Sequence, residues 1–296
     1  MNPSDKILVT GFPGQLASEI RACVSENGNW SFASMADLDI TNERKVHEFV
    51  KQGDFKVVMN GAAYTAVDAA ESDSDAAFRV NAQGPRFLAE ACKETGARLV
   101  HVSTDFVFDG KASSPIKPYS QVSPCSVYGF SKLAGEDAIR EVLGDDYLLV
   151  RTAWVYAAGG QNFVATMLRL MNDRDRLGVV ADQIGTPTWA RTLAEGIVEM
   201  IRRDVSGIHH LTDSGVASWY DFAVAIQDLA MERGLLSSRA TIEPISSSEY
   251  PTPAVRPAYS VLDKTSSFEI LGGPTPHWRE SLAQCLDSWI ANDSVQ

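Results

Sequence analysis

Tyr128 and Lys132, separated by Gly-Phe-Ser, place a phenol and an amine one helical turn apart. Residues three and four apart on a helix share a face, so the two can act together on one substrate atom. A free tyrosine titrates near ~10, too high to trade protons readily at neutral pH. A cation one turn away favours the phenolate and is expected to lower that value. The segment from Val127 to Val142 reads as a helix. Its apolar stripe is Val127, Phe130, Ala134, Ala138 and Val142, with Lys132, Glu136 and Asp137 outside it. A core-edge tyrosine beside a solvated lysine has the same spacing, so the surrounding elements decide between the two.

Those elements begin at the N-terminus. Lys6 to Thr10 is a short β-branched run, followed at once by Gly11-Phe-Pro-Gly14-Gln-Leu-Ala17 and then by apolar residues at Leu16, Ile20 and Val24. This is strand, tight glycine loop and helix. The first glycine permits the turn, the second lets the backbone approach a pyrophosphate, and the third small residue lets helix pack on strand. The helix N-terminus offers unpaired N–H groups to the anion. An ordinary βα turn is the plain alternative.

The βα pattern then repeats. Lys56 to Asn60 is a buried strand ending in Gly61-Ala62-Ala63, whose small side chains leave room for a flat ligand. Ala76 to Glu94 reads as a helix containing Asn81, with Gly84-Pro85 expected to kink or break it. Arg98 to Ser103 is another strand with Thr104 at its carboxyl end, where ligands bind in open α/β sheets. Thr104 with Tyr128 and Lys132 makes an acid–base triad; alone, such a threonine would be a strand-end cap. Tyr147 to Arg151 continues the sheet, and Thr192 to Arg203 with Gly207 to Leu211 returns to it as helix and strand. From about Ala157 the character changes to helices and proline-containing loops, carrying Pro187, Pro244, Pro251, Pro253 and Pro257.

The expected architecture is therefore α/β: a Rossmann-like doubly wound parallel sheet with a smaller, interlocked substrate-binding region. Residues 1–156 plus about 190–214 would form the dinucleotide-binding part, and about 157–189 and 215–296 the substrate part. A chain of 296 residues with 45% apolar and 22% charged residues suits a globular enzyme. Its net charge of −12 argues against nucleic acid and anionic membranes as partners. Cys23, Cys92, Cys125 and Cys285 form no CxxC and no metal spacing, so reduced thiols are expected. Neither a signal peptide nor a membrane-spanning run is legible, which places the chain in the cytoplasm.

On these motifs the chain resembles the extended short-chain dehydrogenases/reductases, and within them the dTDP-4-dehydrorhamnose reductase family. The agreement runs over nearly the whole length. It includes Asp39-Ile-Thr41, Asn60 to Asp68, Val80-Asn-Ala82, Arg151 to Tyr156, Asp182 to Thr188 and Ser218 to Phe222. The glycine loop and the Tyr128–Lys132 motif mark only the superfamily. Ser103-Thr-Asp-Phe-Val-Phe-Asp-Gly110 and Tyr250-Pro-Thr-Pro-Ala-Val-Arg-Pro257 are much more specific.

The resemblance implies reduction of the C4 ketone of dTDP-4-dehydro-β-L-rhamnose to dTDP-β-L-rhamnose. Tyr128 would donate the proton, Thr104 would hold the carbonyl oxygen, and Lys132 would lower the tyrosine pKa and bind the nicotinamide ribose. It also implies that Gly11, Gly14, Gln15 and Leu16 cover the pyrophosphate. Asp39, Ile40, Ala62, Ala63, Tyr64 and Asn81 would complete the cofactor site. Val67, Asp105, Phe106, Trp154 and Arg256 would face the sugar nucleotide, although Val67 also fits plain core and Arg256 a structural ion pair. NADPH is implied by analogy, with NADH the alternative: Ser34-Met-Ala-Asp37 offers no basic residue, and Asp37 lies late for a ribose-binding acid. Some members bind magnesium through glutamates at a dimer contact; Glu19 fits one position but Arg191 stands near another, so no metal is expected. Monomer and homodimer both remain open. Phe106 stands where related 4,6-dehydratases carry a glutamate base, which favours plain reduction. Tyr156-Ala-Ala-Gly-Gly160 lacks the family's glycine directly after the tyrosine. A reductase of another dTDP-6-deoxy-4-ketohexose is the alternative. A non-catalytic regulatory subunit of the same fold is a second, opposed by the joint presence of Thr104, Tyr128 and Lys132.

Overall fold

Short apolar runs that are covered on both sides build a parallel sheet, because such strands need no polar face. The computed structural model describes residues 5–24 and 29–293. Its strands are β1 (Ile7–Phe12), β2 (Trp30–Ser34), β3 (Val57–Asn60), β4 (Arg98–Thr104), β5 (Tyr147–Thr152) and β6 (Gly207–His210). They pair in the order β2-β1-β3-β4-β5-β6, every neighbour parallel. Alternate residues supply two cores. Leu8, Val58, Leu99 and Leu149 meet the helices α2 (Glu43–Gly53) and α3 (Gly84–Thr95). Ile7, Val9, Met59, Val100 and Val150 meet α1 (Gln15–Cys23) and the helix Ala190–Arg202. Three layers result, as a doubly wound α/β fold requires.

The chain leaves β1 for the edge strand β2 and then crosses to β3 on the other side of β1. The order reverses between β1 and β3, and a crevice opens at their carboxyl ends. The glycine loop Gly11–Gly14 and the Gly61-Ala62-Ala63 segment leave the sheet at that point.

Asn81 sits on a segment that departs from expectation. Ser74–Phe78 is α-helical, Arg79–Gln83 is a π turn, and α3 starts at Gly84 with Pro85 in its first turn. Proline is tolerated there because the first N–H groups of a helix have no partner within it. The irregularity is thus absorbed ahead of Gly84-Pro85, and the π turn is the place where Asn81 is aimed inward.

The helix α4 (Val127–Leu143) begins where the Ser126 side chain accepts the Gly129 N–H, and it corrects the expected apolar stripe. Phe130 is 51% exposed, whereas Lys132 and Glu136 are 2% and 0% exposed. The buried face holds Tyr128, Gly129, Ser131, Lys132, Gly135, Glu136, Ala138 and Ile139. Two of its glycines allow close approach of other backbone. A Cβ on Gly129 would lie 2.4 Å from the Phe106 carbonyl oxygen, and one on Gly135 2.1 Å from that of Asn81. Gly135→Ala is expected to cost about 1–3 kcal/mol, the usual range for overpacking, since both partners are backbone. Chemical denaturation would read it, and an unchanged midpoint would refute the contact.

A third apolar cluster gathers Tyr156, Val164, Met167, Trp189, Phe222, Ile226, Trp278 and Leu286. It lies among the helices Phe163–Asp173, Trp219–Glu232 and Trp278–Asp293 and the paired strands Arg176–Val180 and Thr241–Ile245. Phe222 is core here and the half-buried Trp219 packs against the cluster, and Ser218 closes a capping box with Asp221 ahead of them. All four cysteines are free thiols. Among the described residues, no helix is long and apolar enough to cross a membrane.

Candidate active site

Strand β4 delivers Thr104 to the carboxyl edge of the sheet, and α4 lays Tyr128 and Lys132 beside it. The Thr104 hydroxyl donates to Asp105 Oδ1 at 3.0 Å and accepts the Phe106 N–H at 3.2 Å. The Phe106 ring meets Tyr128 edge-on, with centroids 5.5 Å apart and planes at 77°. Val67 opens the short helix Val67–Ala70 and packs into the same small cluster.

Burial dominates the titration of these groups. It pushes the Tyr128 phenol up to about 12, opposed by a hydrogen bond with Thr104 and reinforced by the Asp105 charge. This overturns the expectation of a lysine-lowered tyrosine. The Lys132 amine donates to the Val102 carbonyl at 2.8 Å and lies 3.3 Å from His101 Nε2. Burial pulls Lys132 itself down to about 8, against the opposing effect of Glu136. Asp105, 2% exposed, is lifted by burial to about 6, against hydrogen bonds from Ser260 and Thr104.

The glycine loop has the close geometry that a phosphate cradle needs. Gly11 has φ +83, and a Cβ there would lie 2.7 Å from the Ala62 nitrogen. The Gly14 N–H donates to the Gly11 carbonyl at 2.8 Å, and a Gly14 Cβ would lie 2.7 Å from that same oxygen. No side chain caps α1 at Gly14, so its leading N–H groups remain available to an anion. The loop therefore fits a dinucleotide pyrophosphate. Gln15 accepts a hydrogen bond from Asn162 at 3.0 Å, tying the loop to the start of the Phe163–Asp173 helix, while Leu16 packs toward the core.

The other expected cofactor residues play supporting parts in the structure. Asn81 spends its amide on the Tyr64 N–H and C=O, at 2.9 and 3.0 Å, and on Ser131 Oγ at 3.0 Å. It thereby fastens the Ala62-Ala63-Tyr64 segment to α4. Asp39 accepts from the Thr41 N–H and hydroxyl, and Ile40 is buried against Gly84. Asp37 closes the turn after β2 by accepting from the Ser34 N–H and hydroxyl at 2.9 and 2.6 Å.

Among the residues expected to face the sugar, Trp154 has φ +50 and stacks on Trp219 with centroids 3.5 Å apart. Gly185 backs it, where a Cβ would lie 2.6 Å from the indole. Arg256 makes a two-pronged ion pair with Asp68 at 2.7 and 3.1 Å, so the structural reading of this arginine describes its contacts. Arg191 likewise covers Glu19, Nε to Oε2 at 2.6 Å. A carboxylate so engaged is a poor magnesium ligand, and these two residues do not fit a metal ion.

Sequence reasoning singled out neither Asn60 nor His101. Thr10, Asn60 and His101 stand side by side in register on β1, β3 and β4. A polar residue in each of three buried strand runs was the available signal.

Comparison with known proteins shows which family shares this fold. Residues 5–290 match the family model described as the RmlD substrate binding domain. The dTDP-4-dehydrorhamnose reductase of Burkholderia thailandensis is 41% identical over 294 residues, covering 95% of this chain and 98% of that protein. The dTDP-4-keto-6-deoxy-D-glucose reductase of Streptomyces niveus is 37% identical, covering 98% of this chain and all of that one (100%). A crystal structure of dTDP-4-dehydrorhamnose reductase from Bacillus anthracis in complex with NADP superimposes with a TM-score of 0.90 at 34% identity, covering 96% and 99% of the two chains. With a family model spanning nearly its whole length and full-length relatives of this kind, the chain belongs to the dTDP-4-dehydrorhamnose reductase family.

Proposed function

We propose that this chain reduces the C4 ketone of dTDP-4-dehydro-β-L-rhamnose to dTDP-β-L-rhamnose, using NADPH in preference to NADH, in the cytoplasm and as a monomer or homodimer. The observation that carries the reading is the convergence of Thr104, Tyr128 and Lys132 at the carboxyl edge of the sheet that bears the glycine loop. The nicotinamide cofactor, when bound, supplies the hydride to C4. Gly11 to Leu16 would hold its pyrophosphate and Ala62, Ala63 and Tyr64 its adenosine side, with Lys132 at the ribose. Tyr128 donates the proton to the nascent alkoxide while Thr104, turning its hydroxyl from Asp105, holds the same oxygen, so charge develops where two donors meet. Phe106 leaves no carboxylate in the slot after Asp105, so the site has no base there for elimination at C5. Trp154 and Arg256 face the sugar nucleotide in this reading, Arg256 through the segment that its pairing with Asp68 holds in place.

NADPH oxidation with enzymatically prepared keto-sugar, followed by NMR of the product, tests the assignment. One cofactor oxidised per sugar reduced is expected; isomerisation without net oxidation would overturn it. The Streptomyces niveus relative favours one alternative, a reductase of a different dTDP-4-keto-6-deoxyhexose. The configuration at C4 in the NMR spectrum separates the two, because it reports which face of the sugar meets the hydride donor. Gly14→Val is expected to abolish cofactor binding in a folded protein, since the new side chain strikes the Gly11 carbonyl. Circular dichroism with cofactor fluorescence checks this, and full-strength binding would refute the loop's role.

A further inference from the structure

Lys132 is buried against a histidine whose own proton is fixed by a chain of hydrogen bonds. The Ala62 N–H, an unambiguous donor, points at Asn60 Oδ1 at 3.2 Å, and the Thr10 hydroxyl donates to the same oxygen at 2.7 Å. The Asn60 amide is thereby oriented, and its Nδ2 faces His101 Nδ1 at 3.0 Å. An amide nitrogen only donates, so Nδ1 must accept. A neutral imidazole carries one N–H and one acceptor, so the His101 proton is on Nε2. That N–H faces Lys132 Nζ at 3.3 Å. An ammonium there would set donor against donor, whereas a neutral amine would accept from Nε2 and still donate to the Val102 carbonyl, 2.8 Å away. Thr10, Asn60, His101 and Lys132 are each at most 2% exposed, so no bulk water relieves the conflict.

We propose that His101 is a positioning residue, locked by Asn60 as the Nε2–H tautomer, that weakens the hold of Lys132 on its third proton and so sets the alkaline limit of the reductase. This rests on the proposed reading of Lys132, in its charged form, as the residue that holds the nicotinamide ribose. Burial and the lysine charge hold His101 well below the ordinary histidine range, so it stays neutral. The other groups around Lys132 are accounted for. Glu136, one turn on, is engaged by Arg151 from β5. Asp105 follows β4 and bonds Thr104. On Val67–Ala70 and beside it, Asp68 is tied to Arg256 and Glu71 accepts the Val127 N–H. With Lys132 titrating near about 8, turnover is expected to fall as pH rises through that value, as the ammonium is lost.

Protein labelled with ¹⁵N-histidine and ¹³Cε-lysine tests the proposal without any substrate, so its failure is distinct from failure of the reductase reading. Of five imidazoles, the one missing in His101→Leu should show a protonated Nε2 and a bare Nδ1, and should not titrate near neutrality. The lysine signal missing in Lys132→Met should titrate near about 8 in the wild type. Its proton affinity should rise about tenfold, one pKa unit, in His101→Leu. Asn60→Asp should act the same way, because a carboxylate accepts from Nδ1–H and turns Nε2 into an acceptor for the ammonium. The alkaline limb of kcat should move with the lysine in both variants. A protonated Nδ1 in the wild type, or a lysine titration unmoved in whichever of the two variants folds, overturns the proposal.

Discussion

Replacing Tyr128 by phenylalanine is expected to lower turnover by at least about 10²-fold, the lower end of the range for general acid catalysis, with cofactor affinity nearly unchanged. The phenol lies in a buried site whose low polarity pushes it up to about 12, so it remains protonated around neutral pH. It is a proton donor by default. Its conjugate base is costly there unless the developing alkoxide takes up the proton as the phenol gives it up in the transition state. Phenylalanine keeps the ring and its edge contact with Phe106 and removes only the hydroxyl, so a folding defect is not expected. Steady-state rates with the keto-sugar, alongside fluorescence titration of the cofactor, separate chemistry from binding. Unaltered turnover would remove Tyr128 from the mechanism.

How far the site could be read from the sequence follows from what hydrophobic periodicity measures. Strands such as Val57–Asn60 and Arg98–Thr104 were legible because they are apolar on both faces, and the strand-end position of Thr104 followed from them. The triad itself was legible from spacing. The orientation of α4 was not. Periodicity equates apolar with buried, and on this helix the inward face carries Tyr128, Lys132 and Glu136, the last two made tolerable by Val102 and Arg151. None of those partners lies within a helical turn of them in sequence. Gly129 and Gly135 were the local sign, since they mark the two points where other backbone comes too close for a side chain. The tyrosine pKa escapes the sequence for the same reason: spacing shows the nearby amine and not the burial. Asp39, Asp37 and Asn81 show a different limit, because a motif reveals which residues recur and not whether their polar atoms face a ligand or a turn.

Arg151→Leu is expected to destabilise the protein by about 3–5 kcal/mol, the cost of leaving one member of a buried ion pair without the other. The Arg151 guanidinium meets the Glu136 carboxylate through two parallel bonds of 2.9 and 2.6 Å, and the two side chains are 2% and 0% exposed. A further N–H reaches the Pro118 carbonyl at 2.7 Å, and the guanidinium carbon lies 5.1 Å from the centre of the Phe108 ring. Against a total stability of about 5–15 kcal/mol, such a loss leaves little margin at growth temperature. The double replacement Arg151→Leu with Glu136→Leu removes both charges. It should recover most of the stability, because isosteric apolar pairs often equal or exceed buried ion pairs. Urea denaturation of the two single variants and the double closes the cycle. If the double variant is as unstable as Arg151→Leu, the lost contacts to Pro118 and Phe108 dominate, and the charge argument fails. If stability returns but activity does not, the pair's place in this enzyme is to hold α4 against β5, with Lys132 one turn away facing the carboxyl edge of the sheet.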